Sequence, residues 1–223
     1  MNNLTLLIPA KEESESLPLV LDELKKYNCK KLVVLDENDK ITIDSIKNYD
    51  CEILFQKNLG YGSALVEGIN KIETEYLCIF NADGSFNPIY LKTMLSECKD
   101  DNDFVFASRY SLNGKTEDDT FLTAIGNGIF SAIGKVFFGL KIDDILFTFV
   151  MGKTESYKKL ELKNHDFRFC VELPIKAKRK NMNYINHGSS ERKRFMGFKK
   201  VSEFKDGFLI LLELIRLFVI RKN

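Results

Sequence analysis

Tyr76-Leu77-Cys78-Ile79-Phe80-Asn81-Ala82-Asp83-Gly84-Ser85 carries a short apolar run straight into a polar turn. An apolar run of this length, bounded by Asn, Asp and Gly, reads as a buried strand over Tyr76–Asn81 that ends at a turn. Working outward, similar runs recur at Leu4–Pro9, Leu32–Asp36, Ile53–Gln56 and Phe104–Ser108. Helical periodicity fills the gaps. Leu17–Tyr27 places Leu17, Val20, Leu21 and Leu24 on one face, a short helix is expected near Thr42–Lys47, and others over Gly62–Lys71 and Pro88–Cys98. Pro88 near a helix start removes an N–H that has no partner there anyway. Such alternation predicts repeated βαβ units, hence an α/β fold with a mainly parallel sheet flanked by helices.

The second half changes character. A polar loop at Asn113–Thr120 leads into the Gly- and Phe-rich stretch Phe121–Leu140, with helices expected near Glu155–Leu160 and Val171–Lys180. A basic segment, Arg192 to Lys200, precedes an apolar helix over Gly207–Ile220. No repeat or low-complexity linker divides the 223 residues, so residues 1–223 are expected to form one domain. Lys plus Arg number 33 against 32 Asp plus Glu. That balance gives no global field for nucleic acid, and no nucleic-acid partner is expected. Five cysteines without a C-x-x-C pair point to reduced thiols in the cytoplasm. The N-terminus lacks the basic region of a signal peptide.

In an open parallel sheet, ligands sit at the carboxyl ends of the strands. The polar residues there are Glu12 and Glu13, Asp36, and Asn81 with Asp83. Oxygen ligands separated by one residue on a turn suit a divalent cation that neutralises a diphosphate. The same Asn-x-Asp-Gly pattern also makes a simple turn. The glycines of Asn58-Leu59-Gly60-Tyr61-Gly62 read either as a close backbone approach to an anion at a helix N-terminus or as a tight strand-to-helix turn.

Taken in order, these segments resemble glycosyltransferase family 2. Ile8-Pro9-Ala10-Lys11-Glu12-Glu13 is similar to the family's opening strand, Val33-Val34-Leu35-Asp36 to its second, and Asn58-Leu59-Gly60-Tyr61-Gly62-Ser63-Ala64 with Gly68 to its N-x-G-x-G-x-A-x-x-x-G segment. Asn81 to Ser85 falls on the metal-binding D-x-D, and Ser108-Arg109-Tyr110 on the motif after it. Gly126-Asn127, Asp144, Glu172 and Ser189-x-Glu191-x-x-Arg194-x-x-Gly197 follow in the order of the soluble branch that resembles polyprenyl-phosphate-sugar synthases.

The resemblance implies a GT-A-like fold, with residues 1–110 binding a nucleotide-sugar and residues 111–223 forming a helical acceptor side that ends in the hydrophobic helix. It implies inverting transfer from a nucleotide-sugar donor to a lipid-phosphate or saccharide acceptor, in cell-envelope glycan synthesis. Pro9, Ala10, Glu13, Asp36, Asn58, Gly60 and Gly62 would bind the donor. Asn81 and Asp83 would hold magnesium or manganese, and Arg109 and Arg194 the phosphates. Asp144 and Glu172 are the general-base candidates for a hydroxyl acceptor, with Arg109 beside them. Three departures stand out. Asn81 replaces the first Asp of D-x-D and weakens the metal site, Glu12 replaces the Asn usual before Glu13, and Phe-Leu-Thr-Ala-Ile precedes Gly126 where phosphate-acceptor enzymes carry Arg. A catalytically weak or inactive nucleotide-binding relative stays open on account of Asn81. A sugar nucleotidyltransferase is disfavoured, because the loop after the first strand is acidic and lacks Gly.

His165 and His187 read as structural, since neither has a partner at ligand spacing. Arg192, Lys193, Arg194, Lys199 and Lys200, interleaved with Phe195-Met196-Gly197-Phe198, read either as a solvated charge run or as a loop that folds over a ligand or touches lipid. The apolar C-terminal helix reaches about 21 Å, short of a hydrocarbon core of about 30 Å. It is expected either to dock on the core or, with Phe121–Leu140 and the terminal Arg221 and Lys222, to hold the protein peripherally on the inner face of a membrane.

Overall fold

The computed structural model describes residues 1–197 and 202–220. Its first half follows the alternation closely: β1 (Leu4–Pro9), α1 (Ser16–Leu24), β2 (Lys30–Leu35), α2 (Lys40–Ile46), β3 (Glu52–Phe55), α3 (Tyr61–Lys71) and β4 (Tyr76–Ile79). A 3-10 turn at Pro88–Tyr90 then runs into α4 (Leu91–Lys99), which β5 (Phe104–Ser108) follows. Leu4, Leu6, Leu7 and Ile8 are all fully buried. Both faces of β1 are therefore covered, and each such side chain contributes about 1.5–3 kcal/mol. Leu17, Val20, Leu21 and Leu24 are buried as their spacing predicts.

The second half comprises β6 (Lys115–Thr116), α5 (Phe121–Phe138), β7 (Val150–Lys153), α6 (Thr154–Lys159), α7 (Phe169–Arg179), β8 (Tyr184–Gly188), β9 (Ser190–Glu191) and α8 (Glu203–Val219). The main sheet has the order β3-β2-β1-β4-β7-β5-β8. Only β7 runs antiparallel to its neighbours, so the sheet is mainly parallel. Sequence patterning misses β7 because it is four residues long and contains Gly152. A Cβ there would lie 2.6 Å from the Phe104 ring, so packing between β5 and β7 requires the glycine. Patterning misses β8 because all five of its residues are only half-buried.

Helix α5 turns a mixed face inward, with Phe130, Ile133 and Phe138 half-buried against the core beside polar residues. Its buried residues include Asn127 and Ser131, four apart on one face, while Ile125, Ile129, Val136 and Phe137 are exposed. Asn127 Oδ1 accepts from the amide of Leu146, and Ser131 Oγ from that of Ile145. The polar stripe thus supports the loop between α5 and β7. Helix α8 buries Ile210, Glu213, Leu214 and Leu217 in one stripe, so the docking expectation holds for that face. Phe208 and Ile215 on other faces are exposed. Among the described residues no helix is long and apolar enough to cross a membrane. Phe198, Lys199, Lys200, Arg221 and Lys222 lie outside the described residues.

Candidate active site

Strands β2, β1 and β4 are sheet neighbours, so their carboxyl ends bring Asp36, Glu13, Asn81 and Asp83 to one edge. A cavity of about 660 Å³ opens there, lined by these residues together with Pro9, Ala10 and Gly60. That volume suits a small-molecule ligand. Beyond β1 the chain turns at Glu12, whose φ of 52° lies in the left-handed region. The turn aims two amides at α2: Glu12 N–H donates to Asp39 Oδ2 (2.7 Å) and Glu13 N–H to Thr42 Oγ1 (3.0 Å). Ser16 donates its hydroxyl to the Glu13 carboxylate. Asp36 closes its own turn by accepting from the Asn38 backbone and side-chain amides, each at 2.9 Å.

Asp83 Oδ1 accepts from the backbone N–H (3.0 Å) and hydroxyl (2.7 Å) of Ser85. Gly84 has φ of 83°, and a Cβ there would meet the Phe195 ring at 2.4 Å. Segment 191–195 is stapled over this turn. Phe195 N–H donates to Asp83 O and Arg192 N–H to Ser85 O, while the Arg192 guanidinium grips Gly84 O, Phe86 O and both oxygens of Glu23.

At the other end of the cavity Arg109 is buried against three carboxylates. Its Nε and Nη2 donate to the two oxygens of Asp144 (2.7 and 2.9 Å), and Nη1 lies 3.1 Å from Glu191 Oε2 and 3.2 Å from Asp119 Oδ2. Its face stacks 4.7 Å from the Phe147 ring centroid. Burial opposes the guanidinium charge, but the hydrogen bonds of Asp144 and the charges of Asp144, Glu191 and Asp119 overcome it and raise the pKa well above its ordinary value. Burial pushes the Glu191 carboxyl up, against the lowering influence of Arg109 and Thr116. Arg194 donates to Asp118 at 2.6 Å and sits 3.7 Å from Asp83 Oδ2.

Four of the expected residues stand outside the cavity lining. Asp144 does not line the cavity; it is buried, and both its oxygens are occupied by Arg109. Both oxygens are thus engaged in holding Arg109 in place. Glu172 is fully buried away from the cavity, accepting from the amides of Lys163 and Asn164, from the Asn164 side chain and from Lys176 Nζ. Its charge organises the loop before α7. Asn58 and Gly62 lie outside the lining too. Asn58 binds Glu67 through its backbone and side-chain amides, and a Cβ on Gly62 would lie 2.2 Å from Asn164 O. A Cβ on Gly60, whose φ is 127°, would lie 2.2 Å from His165 O. The glycines serve a close approach of backbone 164–166. His165 and His187 make fold contacts, with Ser63 and Glu97.

Sequence reading overlooked Asp118 and Asp119, which line the cavity. The available signal was the acidic run Glu117-Asp118-Asp119 between β6 and α5. Eight carboxylates and three cationic side chains line the cavity, so a diphosphate needs a cation there. Among the described residues no three His, Cys, Asp or Glu side chains cluster as a metal site. One carboxylate, Asp83, and one amide, Asn81, do fit a divalent ion that takes its remaining oxygens from phosphate and water.

The sequence model of Glycosyl transferase family 2 matches residues 5–161. An uncharacterized glycosyltransferase of Mycobacterium tuberculosis is 27% identical over 110 residues, covering 49% of this chain and 50% of that protein. The chain thus spans about half the length of the curated relatives it matches. Among solved structures, glucosyl-3-phosphoglycerate synthase from Mycobacterium tuberculosis with Mn2+, uridine-diphosphate and glucosyl-3-phosphoglycerate superimposes with a TM-score of 0.75 at 11% identity, covering 96% of this chain and 78% of that one. Its complex with Mg2+ and uridine-diphosphate gives 0.70 at 12% identity, over 96% and 78%. These likenesses establish a GT-A-type fold.

Proposed function

The chain belongs to glycosyl transferase family 2, and from that premise we propose that it transfers a hexosyl group from a nucleotide-sugar to a saccharide or lipid-phosphate acceptor. The observation that carries this reading is the convergence of Glu13, Asp36, Asn81 and Asp83 on one cavity at the carboxyl ends of three neighbouring strands. Glu13 and Asp36 receive the nucleoside, whose hydroxyls and base edge donate to carboxylates. Asn81 and Asp83 would hold magnesium or manganese beside the diphosphate, and the ion supplies charge neutralisation for the leaving group. Solved relatives of this fold bind Mn2+ or Mg2+ with uridine-diphosphate. Arg194, paired with Asp118 and 3.7 Å from Asp83, offsets carboxylate charge at the same place, and the segment stapled over Gly84 covers that side.

The same reading places the protein at the inner face of a membrane, held by the exposed apolar faces of α5 and α8. Its support is the apolar surface that α5 leaves exposed at Ile125, Ile129 and Val136. Calorimetry of the full chain with UDP, GDP and dTDP, with and without manganese, tests the donor reading. We expect metal-dependent binding of one of them, and Asp83→Ala should lower that affinity about a hundredfold while the fold persists. Metal-dependent binding unchanged in Asp83→Ala refutes the assignment.

A further inference from the structure

The part of the cavity around Arg109 and Arg194, which we take as the acceptor side, is short of free positive charge. Arg109 spends its donors on Asp144, Glu191 and Asp119, and Arg194 is held by both oxygens of Asp118. An anionic acceptor would have to displace internal carboxylates from both arginines, in a cavity where carboxylates already outnumber cations. Coulomb repulsion then selects against phosphate and for a neutral nucleophile. A neutral hydroxyl, in turn, needs somewhere to send its proton.

The carboxylates at this end differ in their remaining capacity. Asp144 has both oxygens on Arg109, and Asp118 both on Arg194. Asp119 accepts from Thr123 on Oδ1, and from the Tyr110 hydroxyl and Arg109 on Oδ2. Glu191 is arranged otherwise. Its Oε2 takes Arg109 Nη1 at 3.1 Å and Thr116 Oγ1 at 2.7 Å, and its Oε1 accepts no hydrogen bond among the described residues. One oxygen fixes the side chain while the other is left over, and the residue lines the cavity.

Resting on the donor reading above, we propose that the acceptor is a neutral hydroxyl, of a saccharide or polyol, and that Glu191 is the catalytic base that takes its proton. In the step, the acceptor oxygen forms a bond to the anomeric carbon. The bond from that carbon to the diphosphate oxygen breaks, its electron pair leaves with the nucleoside diphosphate, and the hydroxyl proton passes to Glu191 Oε1. The elevated proton affinity that burial gives the Glu191 carboxyl suits a base.

The test uses the full chain with the nucleotide-sugar it binds best, and four acceptors: water, glycerol, methyl glucoside and the soluble polyprenyl analogue citronellyl phosphate. Transfer to the hydroxyl acceptors is expected to rise with pH to a plateau. Glu191→Gln should lower kcat about 10²- to 10⁴-fold and flatten that profile, with the donor KM held within about twofold; Glu191→Asp should recover part of the rate. Asp118→Asn, which deprives Arg194 of its carboxylate, should gain about tenfold in affinity for inorganic phosphate. Preference for citronellyl phosphate over the hydroxyl acceptors overturns the proposal, as does wild-type kcat in Glu191→Gln. Binding of no nucleoside diphosphate by the wild-type chain sinks the donor reading instead, and this proposal falls with it.

Discussion

At one end of the cavity, Glu13, Asp36 and Asn81 stand half-buried beyond three strand ends; Glu13 accepts from Ser16, Asp36 from Asn38, and the Asn81 amide donates to Ser85. At the other end, Arg109 is buried among carboxylates drawn from residues 119, 144 and 191. The first arrangement gets its precision from backbone, since parallel strands of fixed register deliver side chains to a common edge. The second gets its precision from charge, and its parts depend on one another. A change at the strand ends should therefore alter ligand binding with little cost to the fold, whereas a change in the charge network should cost stability first.

The sharpest way to break this contrast is Arg109→Met. The substitution keeps much of the apolar contact with Phe147 but leaves Asp144 buried without its partner. Removing one member of a buried pair costs about 3–5 kcal/mol, and we expect a loss of that size in urea unfolding. A loss below about 1 kcal/mol would mean that the network is a surface feature and that the two ends are built alike.

Gly62→Ala asks whether the glycines belong to the ligand or to the fold. An added methyl would meet Asn164 O at 2.2 Å and Asp166 O at 2.8 Å, both backbone atoms that cannot rotate away. Overpacking of this kind costs about 1–3 kcal/mol. We expect destabilisation even without nucleotide, measured as a fall in Tm. Unchanged stability with weakened nucleotide binding would return Gly62 to the donor site.

The contrast also explains what could be read from sequence. The strand ends were legible because a parallel strand announces itself as an apolar run, and the polar residue that ends the run is adjacent in sequence. Asp36 and Asn81 follow that rule directly, while Asp83 lies two residues beyond Asn81 and Glu13 four beyond Pro9. The charge network was not legible as a network. Arg109 and Glu191 are 82 residues apart, and they meet because β5 pairs with β8 and β6 with β9; the patterns of β6, β8 and β9 are too weak to detect. Asp144 and Glu172 looked alike as acidic residues beside apolar ones. Only burial and partners separate a carboxylate that orients an arginine from one that braces a loop.

Asn81→Asp sharpens the comparison from the strand-end side. A second carboxylate beside Asp83 raises the local negative charge, so nucleoside diphosphate without metal should bind more weakly. With manganese the same carboxylate becomes a better ligand than the amide. We expect manganese-dependent affinity to rise about tenfold, which is about 1.4 kcal/mol, with unfolding stability unchanged. Calorimetry at several manganese concentrations separates the two effects, and an affinity independent of metal in both proteins would remove Asn81 from the metal site.

The smallest expected effect lies at the turn after β1. Glu12 adopts φ of 52°, a region in which most L-residues are strained and Asn is tolerated better. The turn persists because the Glu12 and Glu13 amides both find acceptors on α2, Asp39 Oδ2 and Thr42 Oγ1. Glu12→Asn should relieve backbone strain without disturbing either bond, since both use main-chain donors. The gain should be about 0.5–1 kcal/mol, of the order of the left-handed penalty, and readable as a small rise in Tm. It should be equal with and without nucleotide, because strain relief acts on the folded chain itself. A gain confined to the nucleotide-bound protein would show instead that the Glu12 side chain repels the ligand, and strand-end precision would then rest partly on charge, as it does around Arg109.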